Sequence, residues 1–441
     1  MDFKKFESIC LAKGITEAEI YHIVCEGSEV STFNGNADQN TVYYKDEMFV
    51  RGVYNNHIVS LYVEKDTDDE IEKIVDRIIA NAGAIESTDP YIIYGGSKSY
   101  PELPAETHDY ANYSQGDKLV LCRKMEEFVK SKSEFVTDTE AGITVENETV
   151  TIENSKGLSV SRKDIGAVVY CEGVTKKDGD VKQGYYMDYV NNFTDINYDK
   201  LYEFAVRRPL ASIGAGSMPS GNYPVVFENK MFASLLSCFL SMFSGDAVTK
   251  KLSLLGDKLG QKVFGDNITL TDEPLRAESH NKVSFDDEGV AASDTVVVEN
   301  GVLKTFLHNL KTAKMLNAES TGNGFKEGAG DIGVRPTNLC LTGGDKSFDE
   351  LIAPIENGVL ITSMMGQHAG VNAVSGAFNL QSSGFRIKNG KVAEPVTLIV
   401  VSGNIVDLLK EVEGVASDFE VNRHIGCGSV LVKGLNISGK N

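Results

Sequence analysis

From residue 267 onward the chain is cut into short extended runs by glycine-containing turns, among them Asp286-Asp-Glu-Gly289, Glu299-Asn-Gly301 and Asn389-Gly390. Many short strands with regular turn signals predict a β-rich unit whose sheet curls into a barrel-like form. Helices at about 308–316, 347–355 and 403–411 would pack on that sheet. Ahead of it, a strand at Tyr223–Phe227 leads into helices expected over 229–244 and 246–264. The first of these sets Phe232, Leu235, Leu236, Phe239, Leu240 and Phe243 on one face and Ser234, Ser237, Ser241 and Ser244 on another. That is the pattern of a packing helix whose serines allow close approach of a neighbour.

The N-terminal part has a different texture. A short helix at 2–13 precedes a strand at Ile20–Cys25, and Phe49–Tyr54, Asn55-Asn56 and Ile58–Val63 read as a hairpin. Ile71, Ile74, Val75, Ile78, Ile79 and Ala82 follow the i, i+3, i+4, i+7 series of one helix face over 68–82. After a loop at 84–116 a similar order returns: helix 117–131, strands at 143–147 and 149–153, a turn at Asn154-Ser-Lys-Gly157, strands at 158–175 and 183–191, and a helix at 199–213. The recurrence suggests a duplicated unit of helix plus curved antiparallel sheet. Gly214-Ala-Gly-Ser-Met-Pro-Ser-Gly221 reads as a linker. The expected architecture is α+β, with an N-terminal α+β domain at 1–215, readable as two repeated halves, and a C-terminal β-rich domain at 216–441.

Charge and cysteine usage exclude several function classes. Against 43 Lys and Arg stand 63 Asp and Glu in 441 residues, a net charge of −20, and no basic cluster gathers on the sequence. Such a chain repels phosphate backbones, so neither nucleic acid nor an anionic membrane is expected as a direct partner. The N-terminus lacks an apolar signal core, and Phe232–Phe243 is too short and too serine-rich to span a bilayer. Seven cysteines without a C-x-x-C pair fit reduced thiols, and the expected location is the cytoplasm. Neither a dinucleotide fingerprint nor a P-loop occurs. His424-Ile-Gly-Cys427 offers half a metal site or a Cys/His pair, but zinc needs at least three protein ligands and the other histidines are scattered.

A series of motifs in register carries a resemblance. Ser244-Gly245-Asp246, Phe285-Asp-Asp-Glu-Gly289, Val298–Leu303, Ser320-Thr-Gly-Asn-Gly324, Gly366–Gly376, Gly384–Gly390 and Ile425–Leu431 together resemble the C-terminal half of the TldD/PmbA family. The resemblance implies a metalloprotease scaffold, in whose TldD branch a helix carries H-E-x-x-x-H and a cysteine near the C-terminus completes the zinc site. With Gly245-Asp246 setting the register, the two histidine positions fall on Leu236 and Ser241 and the glutamate on Ser237, while Cys427 matches the third ligand position alone. No catalytic or metal-binding residue is therefore expected in this chain, nor any cofactor of its own. The departure resembles the PmbA branch, also called TldE. That branch implies a non-catalytic subunit of a heterodimer, in which a TldD-like partner supplies zinc and the general base and the substrate is an unfolded peptide or peptide precursor. Peptide contact through sheet edges fits such a role. The alternatives are a homodimeric peptide-binding or scaffold protein without a protease partner, and an independent Cys hydrolase using Cys427 with His424. The family's other designation, modulator of DNA gyrase, gains no support from a chain of this charge as a direct DNA contact.

Overall fold

Asn34-Gly35, Asn55-Asn56 and Asp178-Gly179 all sit at positive φ, between 48° and 83°. Two consecutive left-handed residues make the turn whose twist matches a right-twisted antiparallel pair, so each of these dipeptides closes a tight hairpin. In the computed structural model, which describes residues 1–64, 68–86, 89–104, 106–327 and 331–440, they join the strands of one large sheet. The strands are β1 (Glu17–Phe33), β2 (Asn36–Tyr54), β3 (His57–Val63), β4 (Val136–Asn154), β5 (Ser159–Lys177) and β6 (Asp180–Val190). Their order is β3-β2-β1-β4-β5-β6, antiparallel throughout, and the sheet is curled. Each half supplies a helix followed by a three-strand meander, and the halves meet where β1 pairs with β4. The strands run well beyond the apolar cores expected from sequence; 143–147 and 149–153 are parts of β4.

One face of this sheet is covered by helices. Phe6 and Cys10 of α1 (Phe3–Ala12) and Ile71, Ile74, Val75 and Ile78 of α2 (Asp68–Ala82) pack on Val50, Val59 and Leu61. Cys122, Met125 and Val129 of α3 (Gln115–Ser131) pack on Ala141, Ile143, Val169 and Cys171. Ser114 and Asp117 form a capping box that starts α3. The helix expected at 199–213 is interrupted by a π-helical turn at Glu203–Arg207. Its carbonyls at Phe204 and Ala205 press on Gly184 and Gly173, where no Cβ would fit, which accounts for glycine inside two strands.

The rest of the chain builds a closed barrel. β7 (Gly221–Phe227) pairs in parallel with β8 (Asn357–Met365) and antiparallel with β11 (Val430–Ser438). β11 pairs with β10 (Lys391–Asn404), β10 with β9 (Ala377–Lys388), and β9 returns to β8, closing the ring. A second sheet of short strands, from Leu270–Asp272 to Ile425–Cys427, stands beside it. One apolar cluster unites them, including Phe227, Phe232, Leu236, Phe239, Phe243, Leu339 and Cys427. The expectation of an α+β chain with a barrel-like second part holds.

Two helix expectations are corrected. The run at 229–244 is helical only as α4 (Asn229–Ser237); Cys238 caps it and a 3₁₀ turn follows at Leu240–Phe243. The run at 246–264 keeps only Gly245–Thr249, because Lys251 adopts φ +57° and Leu252 N–H reaches back to the Ala247 carbonyl, a C-terminal stop. Among the described residues no helix is long and apolar enough to cross a membrane.

Candidate functional site

Asn229, Ala233 and Leu236 lie one above the other on α4 at the i, i+4, i+7 spacing, and the strand Ile425–Cys427 packs across that helix. Cys427 is fully buried against it, and its thiol donates to the Asn229 carbonyl at 3.3 Å. Burial, reinforced by the Asp418 charge, pushes the Cys427 thiol far above its ordinary pKa, so it stays protonated. Leu236 is fully buried among Phe232, Leu235 and Phe239. Ser237 is exposed and its hydroxyl donates to the Ser234 carbonyl at 2.7 Å, while Ser241 stands on the 3₁₀ turn beyond the helix end. A protonated thiol, an isobutyl group and two hydroxyls do not suit zinc, which binds thiolate, imidazole or carboxylate. Among the described residues no group of three or more His, Cys, Asp or Glu is arranged to hold a metal ion.

His424 and Cys427 have different partners. His424 Nδ1 is 3.0 Å from the Thr337 carbonyl oxygen, and burial, with Arg335 and Arg423 nearby, lowers its pKa. The thiol meanwhile points at α4.

What the sequence did not reveal is a charged junction between the first sheet and the barrel half. The Phe285–Gly289 turn inserts against the helix-free face of the sheet, where Phe285 packs with Tyr21, Phe49, Val150, Ile152 and Leu158. Asp287 accepts from the Tyr21 hydroxyl at 2.8 Å, from Arg162 Nη2 at 2.7 Å and from the Lys326 backbone N–H at 2.8 Å. Burial alone would raise the Asp287 pKa, but Arg162 and these donors hold it below the usual carboxylate value. Asp286 accepts three backbone N–H groups, from Glu288, Val290 and Gly324, and so fixes the turn. Burial and the neighbouring Glu288 charge still push its pKa up. Glu288 accepts from Leu310 N–H at 2.7 Å, and burial raises its pKa to about 7. On the sheet side of the junction Arg51 Nε donates to its cross-strand neighbour Glu19 at 2.7 Å. The Lys326 ammonium lies 4.5 Å from the Tyr21 ring centroid and 4.8 Å from that of Phe49, and burial lowers its pKa to about 8.

Beside the junction, among the described residues, no helix lies on the sheet, which is only partly covered, by Leu103, Pro104, Glu106 and His280–Lys282. A cavity of about 420 Å³ opens there, with Thr144, Glu146, Glu148 and Asp164 on the sheet side and His280 and Lys282 opposite. Burial raises the Glu148 and Asp164 pKa values, with Asp164 adding to the shift of Glu148 and Glu106 to that of Asp164. Three consecutive acidic residues in a turn were a visible signal for the junction. Arg51 and Arg162, isolated in long strands, gave none.

Comparison with known proteins agrees with this geometry. A family model described as the PmbA/TldA metallopeptidase C-terminal domain matches residues 220–439, and the central-domain model of the same metallopeptidases matches residues 108–213. A metalloprotease of Methanocaldococcus jannaschii is 27% identical over 418 residues, spanning 89% of this chain and 86% of its own. The metalloprotease PmbA of Escherichia coli O157:H7 is 26% identical over 336 residues, 75% of this chain and 71% of its own. Among solved structures, a protein from Thermotoga maritima described as a modulator of a DNA gyrase superposes with a TM-score of 0.90 at 30% identity, covering 99% of this chain and 100% of that one. TldE from Thermococcus kodakarensis has the same fold, with a TM-score of 0.88 at 22% identity over 99% of this chain and 100% of its own. The two domain models and the shared barrel define a metallopeptidase scaffold; the chain belongs to the TldD/PmbA family of metalloproteases.

Proposed function

We propose that this chain is a PmbA/TldE-like subunit that performs no hydrolysis itself and assembles with a TldD-type zinc metalloprotease acting on unfolded peptides. The observation that carries the reading is Leu236, buried in the apolar cluster at the position where the family's helix would present its first ligand. Ser237 and Ser241 offer neither a general base nor a second imidazole, and the Cys427 thiol is committed to a carbonyl. The TldE fold neighbour and the TldD homologue of Buchnera aphidicola, 24% identical over 331 residues, support pairing within this family.

The test has two arms. Elemental analysis of the chain purified without chelator should find no stoichiometric zinc, and the chain alone should leave unfolded peptides intact. Mixed with a TldD-type protease, it should raise that protease's turnover. One equivalent of zinc lost on Cys427→Ala, or chelator-resistant proteolysis by the chain alone, would overturn the proposal.

A further inference from the structure

Across the helix-free face of the first sheet, residues directly opposite one another form rows. Phe33, Glu140, Glu172 and Tyr185 share one row, and Lys45, Cys25, Glu148 and Asp164 another. Each row sets two carboxylates directly opposite each other, an arrangement that destabilises a sheet unless something cationic relieves it. Between them the floor is flat. The Tyr43 ring lies over Gly27 and the Tyr170 ring over Gly142, each filling the space a Cβ would take. Their hydroxyls donate to Glu146 and, at 2.9 Å, to Glu140. Tyr43 already holds the ammonium of Lys45 at 4.9 Å from its ring centroid, so the ring accepts a cation. Few cations of the strands answer these carboxylates: Lys45 and Lys176 are exposed, Arg162, bonded to Asp287, also lies near Glu148 and Asp164, and Glu172 accepts from the Gln183 amide.

We propose that this face docks an extended polypeptide segment bearing Lys or Arg side chains, with its cations between the paired carboxylates and against the tyrosine rings. The inference rests on the reading of the chain as a peptide-handling subunit and names the class of peptide it selects. An extended chain suits the place, because this is a continuous antiparallel sheet face on which the Tyr43 and Tyr170 rings lie over Gly27 and Gly142. Complementary charge supplies selectivity and a salt-dependent affinity.

The experiment uses the full chain and three labelled, unstructured peptides of equal length in which Lys, Gln or Glu alternates with Gly-Ser, read by fluorescence anisotropy. The Lys peptide should bind about tenfold or more tighter than the Gln peptide and weaken with added salt. The Glu peptide should not bind. The Glu140→Gln, Glu146→Gln, Glu172→Gln triple variant should lose most of that preference without a lower melting temperature, since it removes like-charge repulsion and keeps an acceptor for each tyrosine. Asp164→Asn, which touches no tyrosine bond, should lose part of it. A control at Asp407→Asn and Glu411→Gln, on the far part of the chain, should lose none.

Equal binding of the Lys and Gln peptides, or an equal loss in the control, would overturn the proposal. So would a triple variant that keeps the Lys preference but no longer captures a TldD-type partner, for then the face belongs to the partner. Stimulation of a TldD-type protease on the Gln peptide separates the two readings: stimulation without a charge preference sinks this proposal alone, and a Lys preference without stimulation sinks the subunit reading.

Discussion

Leu236 and Ser237 are neighbours on α4 and should respond to substitution in opposite ways. Leu236 is fully enclosed, so Leu236→Ala leaves a cavity and should cost about 2–5 kcal/mol in chemical denaturation. Ser237 is exposed and its hydroxyl donates to a carbonyl of its own helix, so Ser237→Ala should fall within about 1 kcal/mol. A costly Ser237→Ala would show that the hydroxyl has a role beyond that bond. Glu288 makes a residue-level prediction about pH. Its carboxyl keeps a proton in the native chain up to about pH 7 and loses it near the ordinary value of 4.5 once unfolded. The native state therefore binds more protons in that window, and stability from this group is fully present below 4.5 and lost as pH rises through 7. Asp286, also raised, acts in the same direction. Glu288→Gln retains an acceptor for Leu310 N–H and should flatten this decline in melts run from about pH 5 to about pH 8. An unchanged pH profile would place the proton elsewhere.

At the scale of elements, the hairpins show what local sequence decides. Asn55 and Asn56 both occupy the left-handed region, at φ 49° and 63°, which asparagine tolerates and β-branched residues do not. Asn56→Val should therefore cost roughly 1–2 kcal/mol, and Asn56→Gly should cost little. Denaturation of the two variants checks this, and equal costs would mean the turn is held by something other than its backbone. This hairpin was legible in sequence because its determinant is two adjacent residues. The apolar series of α2 was legible for a similar reason: its period lies within one element. The helices at 229–244 and 246–264 were overestimated because apolar spacing does not encode a stop. The stops are a left-handed Lys251 at φ +57° and a cap at Cys238, while Phe239, Phe243 and Phe264 continue the apolar series into the core beyond the helix ends. The candidate site divides along the same line. The positions on α4 and at Cys427 follow from motif register, whereas the junction around Asp287 joins residues more than 120 positions apart, which no local pattern carries.

For the whole molecule, the decisive question is what couples the first sheet to the barrel. The apolar clusters under the helices of the sheet and the large cluster of the barrel half share no residue. A small cluster around Phe285 and the charges beside it bridge the two, aided by peripheral ion pairs such as Lys200 with Glu420 and Lys282 with Glu106. A solvent-accessible pair such as Lys200 with Glu420 contributes little, typically below about 1 kcal/mol. Asp287 differs because it is buried and gathers Tyr21, Arg162 and the Lys326 backbone at one point. Asp287→Ala would leave the Arg162 guanidinium without its carboxylate inside the junction, a loss of about 3–5 kcal/mol when one partner of a buried pair is removed. That loss falls on the coupling, since neither half's own apolar core contains Asp287. Calorimetry should therefore find that the variant melts in two resolved transitions where the parent chain melts more cooperatively. Restoring a bond acceptor with Asp287→Asn should recover part of the coupling. If Asp287→Ala lowers a single transition without splitting it, the halves are joined by more than this junction, and the apolar packing of Phe285 carries the coupling.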